Sequence, residues 1–444
     1  MYKYILFTVC FLMVVSLQAQ PKKGSLLIKN GTVITITDGD LENTDVLIRD
    51  GIISRIGKNL KAPKGVETVD ASGMFVMPGI IDAHSHAGLS AINEGTNPIT
   101  PEVSTEDALE PTSITLYRAL AGGVTASHAM HGSANAIGGQ CETIKHRWGE
   151  LNPDNVRMEG APRTIKFALG ENPMRSHGER YGINPSSRMG VEQVIREAFA
   201  KAQQYKAAWK KYEANPELDA PDYSLRLQTM ADILDGKILI HCHSYRADEI
   251  LMLMKVLKDF GVTNITYQHT NEGFKVAPEL AKFGAHASVF SDWWAYKFEV
   301  YYSTAYNAAI LTKNGVVTSI NSDSGELIRH LYHEAAKTQR YGNMSDNEAL
   351  KMITLNPAIQ LGIDNRVGSI EKGKDGDVVV FKNHPLSIYA IPQKTIVDGI
   401  IRFDINKDPD DMRLSVNPEE KVMPILYFER DRESCMEGAT MMNH

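Results

Sequence analysis

The sequence predicts an α/β protein: a (β/α)8 TIM-type barrel joined to a small β-sandwich built from both chain ends. Three observations lead there. Residues 78–361 alternate short apolar strands with helical stretches, the pattern of a parallel sheet. Residues 21–77 and 362–405 hold brief β-type runs broken by Gly, Asp and Asn, the pattern of antiparallel hairpins. Several middle strands end in His or Asp, at the rim where a barrel gathers its chemistry.

The N-terminal part of the sandwich is read from Leu26-Leu27-Ile28, Thr32–Thr35, Val46–Ile48 and Ile52-Ile53, punctuated by Asn30-Gly31 and Asp50-Gly51. The C-terminal part is read from Asp377–Phe381, Thr395–Val397 and Ile400–Phe403. Eight barrel strands are expected to start near Ile80, Val124, Glu142, Thr164, Lys237, Asn264, Ala285 and Val316. Between the fourth and fifth, Val191, Ile195, Ala198, Ala202, Tyr205 and Trp209 recur at helical spacing. They mark an amphipathic helix whose Lys201, Lys206, Lys210 and Lys211 belong to a solvated face. Ser345-Asp346-Asn347-Glu348 is a capping-box signature for a late helix.

A formal net charge of −7 argues against a general nucleic-acid surface, which needs clustered Lys and Arg. Residues 1–20 read as a signal peptide: Lys3, an apolar run from Ile5 to Val15, and a cut near Ala19 or Gln20. That run is short for a membrane span, so no integral span is expected after its removal. The protein is therefore expected to be exported, to a periplasm or the medium. Cys10, Cys141, Cys242 and Cys435 are too scattered for a disulfide framework. The polar, Met-rich tail, residues 406–444, suggests no fold.

The chemistry starts at Pro78-Gly79-Ile80-Ile81-Asp82-Ala83-His84-Ser85-His86. Side chains two apart on a strand share a face, so His84 and His86 converge while Ile81 and Ala83 face the helices. Two such imidazoles at a strand's C-terminal end form half of a metal site. His241 and His243 share a face of Ile238–His243; His269 ends Ile265–His269, and Asp323 follows Val317–Ser322. Packing alone does not explain so many polar groups at one rim, because unpaired buried polar groups are costly. A Gly-rich loop, His131–Gln140, follows the second strand; His128 and His131 are left without a role. Arg175, His177, Arg180 and Arg188 follow the fourth strand, where a basic loop can bind a substrate carboxylate.

These motifs resemble the amidohydrolase superfamily, in its imidazolonepropionase-like and prolidase-like branch. The likeness runs from Leu26 to about Phe403. It rests on Val76–His86, Ile165–Pro173, His241, His269, Asp323, Leu355-Asn356-Pro357-Ala358 and Gly368–Asp377. The resemblance implies a two-metal hydrolase of amide-like C–N bonds. His84, His86 and Asp323 would hold the more buried ion, and His241 and His269 the second. Either Lys166, as a carboxylated lysine, or Glu171 would bridge them. Ile165, Phe167 and Leu169 share the other face, so strand parity favours Lys166. Asp323 would be the catalytic acid–base group. Zinc is the default for a His-rich site, with manganese, cobalt or iron open. Deaminase-like members carry a glutamate where this chain has Ser244, which counts against deamination. His243, Arg175 and His177 are then candidates for binding substrate.

The resulting expectation is hydrolysis of a cyclic amide or an N-acyl amino acid. An Xaa-Pro or other short dipeptidase or carboxypeptidase is an alternative, as is a catalytically silent binding barrel. A small molecule or short peptide is the expected partner, with a homo-oligomer left open.

Overall fold

The computed structural model describes residues 21–407. The expected leader and residues 408–444 of the tail lie outside the described residues.

The N-terminal strands are β1 (Leu26–Ile34), β2 (Asp40–Arg49), β3 (Ile52–Gly57), β4 (Glu67–Asp70) and β5 (Phe75–Pro78). The barrel strands follow: β6 (Ile80–Ser85), β7 (Val124–Ala129), β8 (Ile137–Lys145), β9 (Arg163–Ala168), β10 (Ile238–Ser244), β11 (Ile265–His269), β12 (His286–Val289) and β13 (Thr318–Ile320). The chain ends with β14 (Val378–Lys382), β15 (Ile391–Val397) and β16 (Ile400–Asp404).

Both chain ends enter one sheet, ordered β16-β15-β14-β5-β1-β2-β3, with β4 also paired to β1. Hydrogen bonding thus joins all eight strands, where the sequence suggested two facing layers. The first half of β1 pairs with β4 and its last residues with β5. A register shift around Gly31 separates the two pairings. Alternate residues of these strands, among them Ile28, Val46, Val69, Val76, Val378 and Ile396, form one apolar core. The N-terminal part cannot bury this face alone; β14 completes it by pairing with β5.

The second sheet runs β6 to β13 in order. Observed strands begin within about two residues of the expected positions, apart from β8. That strand starts at Ile137 and runs antiparallel to both neighbours. The reason is covalent: residues 130–136 are too few for the dozen or so that a parallel crossover needs. Residues 137–140 of the Gly-rich run therefore lie in a strand rather than a loop. A Cβ on Gly138 would meet the His131 ring at 2.8 Å, so close packing rather than flexibility explains that glycine.

Between β6 and β13 no ladder forms, and the seam is closed by individual bonds. The Asp323 N–H donates to the His84 carbonyl at 3.0 Å. Asp82 reaches across to Ser322, accepting from its N–H at 3.2 Å and from its hydroxyl. Gly79 joins the two sheets where a Cβ would lie 1.9 Å from Thr125 Oγ1, a closeness only glycine allows. The long helix spans Arg188–Ala214 and buries Val191, Ile195, Ala198, Ala202 and Tyr205, as its spacing predicts. Ser345 and Glu348 form the reciprocal cap. Among the described residues no helix is long and apolar enough to cross a membrane.

Candidate metal centre

The rim residues converge. Asp323 Oδ1 lies 3.1 Å from His86 Nε2 and 3.3 Å from His84 Nε2, and its Oδ2 lies 3.5 Å from His269 Nε2. Donor atoms of His84, His269 and Asp323 all fall within 4.8 Å of one another. Lys166 arrives from β9 with its Nζ 3.1 Å from His84 Nε2. His84, Lys166, His241, His243 and His269 are fully buried.

Strand parity places His84, His86, Lys166, His241 and His243. It does not place His269, because Gln268 already points inward, touching His241 Nδ1 at 2.9 Å. His269 and Asp323 adopt φ of 67° and 45°, the left-handed region. Leaving the strand conformation there turns both side chains into the site. His and Asp tolerate this region better than most residues, and such strain concentrates at functional sites.

Burial decides the protonation of the site. It pushes the His84, His241 and His243 imidazoles well below their ordinary range and His269 to about 3. They stand neutral, the form with a lone pair for a metal. Burial alone would raise the Asp323 carboxyl; His269, His86 and Lys166 hold it below its usual range instead. Nε2 of His241 is buried without a hydrogen-bond partner. A buried polar atom left unpaired is costly, so neutral imidazoles gathered around a carboxylate suit a divalent cation.

The two bridging candidates are separated. Lys166 lies against His84, whereas Glu171 opens the short helix Glu171–Met174 and is engaged elsewhere. Its carboxylate faces Arg175 Nη2 at 3.2 Å and Lys297 Nζ at 3.4 Å. The basic loop is likewise largely tied down. Arg188 meets Glu249 at 2.7 Å and Glu299 at 3.2 Å. Arg180 lies over the Tyr181 ring. His177 is buried in a π-helical turn, residues 175–179. The two histidines without a role have local ones: His128 meets Thr164 Oγ1 at 2.7 Å, and His131 Nε2 accepts from the Glu94 N–H at 2.9 Å.

Sequence reading passed over several residues here. Asp82 shares the face of His84 and accepts the His84 N–H at 3.1 Å. Burial pushes its carboxyl up to about 7. The period-two pattern contained that signal. Gln268, inward by the same parity in β11, was also passed over, whereas Tyr245 and Lys297 had no such signal, since their places depend on which loops meet.

The family model described as "Amidohydrolase family" matches residues 75–403. The chain belongs to that family. An amidohydrolase from Thermotoga maritima MSB8 is 34% identical with a TM-score of 0.80, over 85% of this chain and 100% of that one. A zinc-bound adenosine deaminase from Xanthomonas campestris shares the fold at 17% identity and a TM-score of 0.55, over 93% and 99%. The amidohydrolase tasK of Hapsidospora irregularis is 30% identical over 81% of this chain and 40% of its own length. A dihydroorotase from Geobacter metallireducens is 48% identical over 62 residues, 14% of this chain and 15% of its own. The chain thus spans less than half the length of these curated relatives.

Proposed function

We propose that this protein is a metal-dependent hydrolase of an amide-type C–N bond in a small molecule, of the cyclic-amide or N-acyl amino acid type. The observation that carries this reading is the Asp323 carboxylate set among His84, His86 and His269, with Lys166 and His241 beside them. Similarity to enzymes named dihydroorotase and dihydropyrimidinase supports C–N bonds as the target.

His84, His86 and Asp323 would hold one ion, His241 and His269 a second, with Lys166 between them as a carboxylated lysine. Divalent ions held there, zinc by default, would supply Lewis acidity to a substrate carbonyl and lower the pKa of water towards neutrality. The chain does the rest. Asp323 faces the reacting water, takes its proton on a carboxylate oxygen and passes it to the leaving nitrogen. Gln268 fixes the His241 ring through Nδ1. Asp82 ties His84 to the turn that carries Asp323. Export is part of the proposal and rests on the leader-type sequence of residues 1–20.

The test is metal analysis of the purified protein, followed by a screen of cyclic amides and N-acyl amino acids. About two transition-metal ions per chain, falling in His84→Ala, is the expected result. Absence of bound metal after reconstitution of folded protein overturns it and leaves a silent binding barrel.

A further inference from the structure

The C-terminal end of β12 brings an aromatic ring to the rim, not one of the candidate metal ligands. Ala287 and Val289 of this strand join the main apolar core, so Ser288 and Phe290 share the opposite face. Phe290 follows the strand directly and is buried. Its ring stacks on the His269 imidazole at 4.6 Å and 16°. The stack continues on both sides. His84 lies 4.6 Å from His269 at 29°, and Trp293 lies 4.5 Å from Phe290 at 17°. Tyr296 meets Trp293 edge-on at 5.9 Å and places its hydroxyl 3.1 Å from that of Tyr245. These rings beyond His269 pack into an apolar cluster of their own, apart from the main core.

The candidate histidines are held in two different ways. His86 Nδ1 lies 2.9 Å from the Met130 carbonyl, and His241 Nδ1 lies 2.9 Å from the Gln268 amide. A partner on the second ring nitrogen is the usual device that orients a metal-binding imidazole. His269 has no hydrogen-bond partner on either nitrogen, and His84 has none on Nδ1. The backbone at His269 is pinned separately. Thr270 Oγ1 donates to the Tyr267 carbonyl at 2.9 Å, and Asn307 Nδ2 donates to the Thr270 carbonyl at 2.9 Å. Those bonds fix the left-handed turn but do not set the imidazole's rotation about its Cβ–Cγ bond. Stacking does, because rotation would drive the ring edge into the faces of His84 and Phe290. A stack also suits a metal ligand electrostatically. An imidazole that gives electron density to a cation becomes more positive, and the face of a phenyl ring is negative.

We propose that Phe290, backed by Trp293, is a positioning residue for the second ion: its ring orients His269 by stacking, where hydrogen bonds orient His86 and His241. This rests on the hydrolase reading above, in which His241 and His269 hold the second ion. The two ions then depend on different parts of the chain, and the loop after β12 sets the affinity of the second.

The experiment titrates the metal-free full chain with cobalt(II), read by visible absorption and by calorimetry. Wild type should take up about two ions per chain in two steps. Phe290→Leu keeps apolar bulk and removes the flat face. It should weaken the second step by about 10- to 100-fold and leave the first unchanged. Phe290→Tyr, which restores the ring, should recover most of the loss. Trp293→Leu, one ring further out, should give the same change to a smaller degree, and it carries the test where Phe290→Leu does not fold. Thermal melting of the metal-free variants separates positioning from packing. A Phe290 that only packs would lower the melting temperature and weaken both steps alike, which overturns the proposal. Wild-type affinity for both ions in Phe290→Leu overturns it too, and leaves the hydrolase reading intact. Folded wild type that takes up no metal overturns both.

Discussion

Two buried polar clusters lie at opposite ends of the barrel, and they have been built on opposite rules. At the N-terminal ends of the parallel strands, Lys145 points its ammonium between three carboxylates: Asp375 at 2.6 Å, Asp398 at 2.6 Å and Asp377 at 3.0 Å. Arg147 adds Asp398 at 2.7 Å and Glu159 at 3.0 Å, and Arg366 adds Asp375 at 2.6 Å. Every charge there faces an opposite charge, and the cluster clamps the barrel to the mixed sheet. At the C-terminal ends, neutral imidazoles surround one carboxylate, and Nε2 of His241 and both nitrogens of His243 have no partner. The first cluster pairs its charges within the chain; the second fits a ligand. Both hold fully buried groups, Lys145 and Arg147 in the first and His241 and His243 in the second, so pairing with opposite charge, rather than burial, separates a structural polar group from a functional one.

The sharpest way to break this contrast is to remove one member of each cluster. Asp323→Asn should lower turnover by about 10³-fold while shifting the melting temperature little, since it removes charge from a site that the fold does not need. Parallel activity and melting measurements decide it; a large loss of stability would erase the distinction. Lys145→Met should do the reverse. It leaves Asp377 without a cation and takes one from Asp375 and Asp398, which keep Arg366 and Arg147, and should cost about 3–5 kcal/mol of stability, with metal binding intact where the protein stays folded. Denaturant titration at pH 7 provides that number.

A smaller effect concerns pH. His146 is fully buried, and burial pushes its imidazole down to about 3, with Ser127 Oγ at 2.9 Å as its neighbour. The unfolded chain takes up this proton near 6.5, whereas the folded chain does not until about 3. Stability therefore falls as pH drops below 6.5, by about 1.4 kcal/mol per pH unit for this group until its folded pKa is reached. His146→Gln should flatten the denaturation slope between pH 6.5 and 4 by one proton's worth. The smallest effect is a control remote from both clusters. Ser345→Ala removes the hydroxyl that accepts the Glu348 N–H at 3.3 Å and should cost about 1 kcal/mol, leaving metal content unchanged.

Legibility in the sequence follows local periodicity. Ile81 to His84 alternates apolar and polar, so the inward His84 and His86 and the buried, outward Ile81 and Ala83 could be read directly. The same parity turned Lys166 towards His84. It failed at β8, where the Gly-rich run hides a strand, although the shortness of residues 130–136 already forbade a parallel crossover. It missed Lys297 because a loop has no period: that lysine reaches Glu171 only when the loops after β9 and β12 meet.

The sequence by itself determined seven of the eight barrel strands, the long helix and one late helix start, which side chains share a face, and that His84, His86, His241, His269 and Asp323 would lie at strand ends. These follow from backbone geometry acting over a few residues. The tertiary structure decided how the ends share one sheet, how the β6–β13 seam closes, and which cations and carboxylates saturate one another. It also decided the left-handed turns that bring His269 and Asp323 into contact. Those outcomes depend on groups far apart in the chain, whose distances and burial exist only once the barrel is closed.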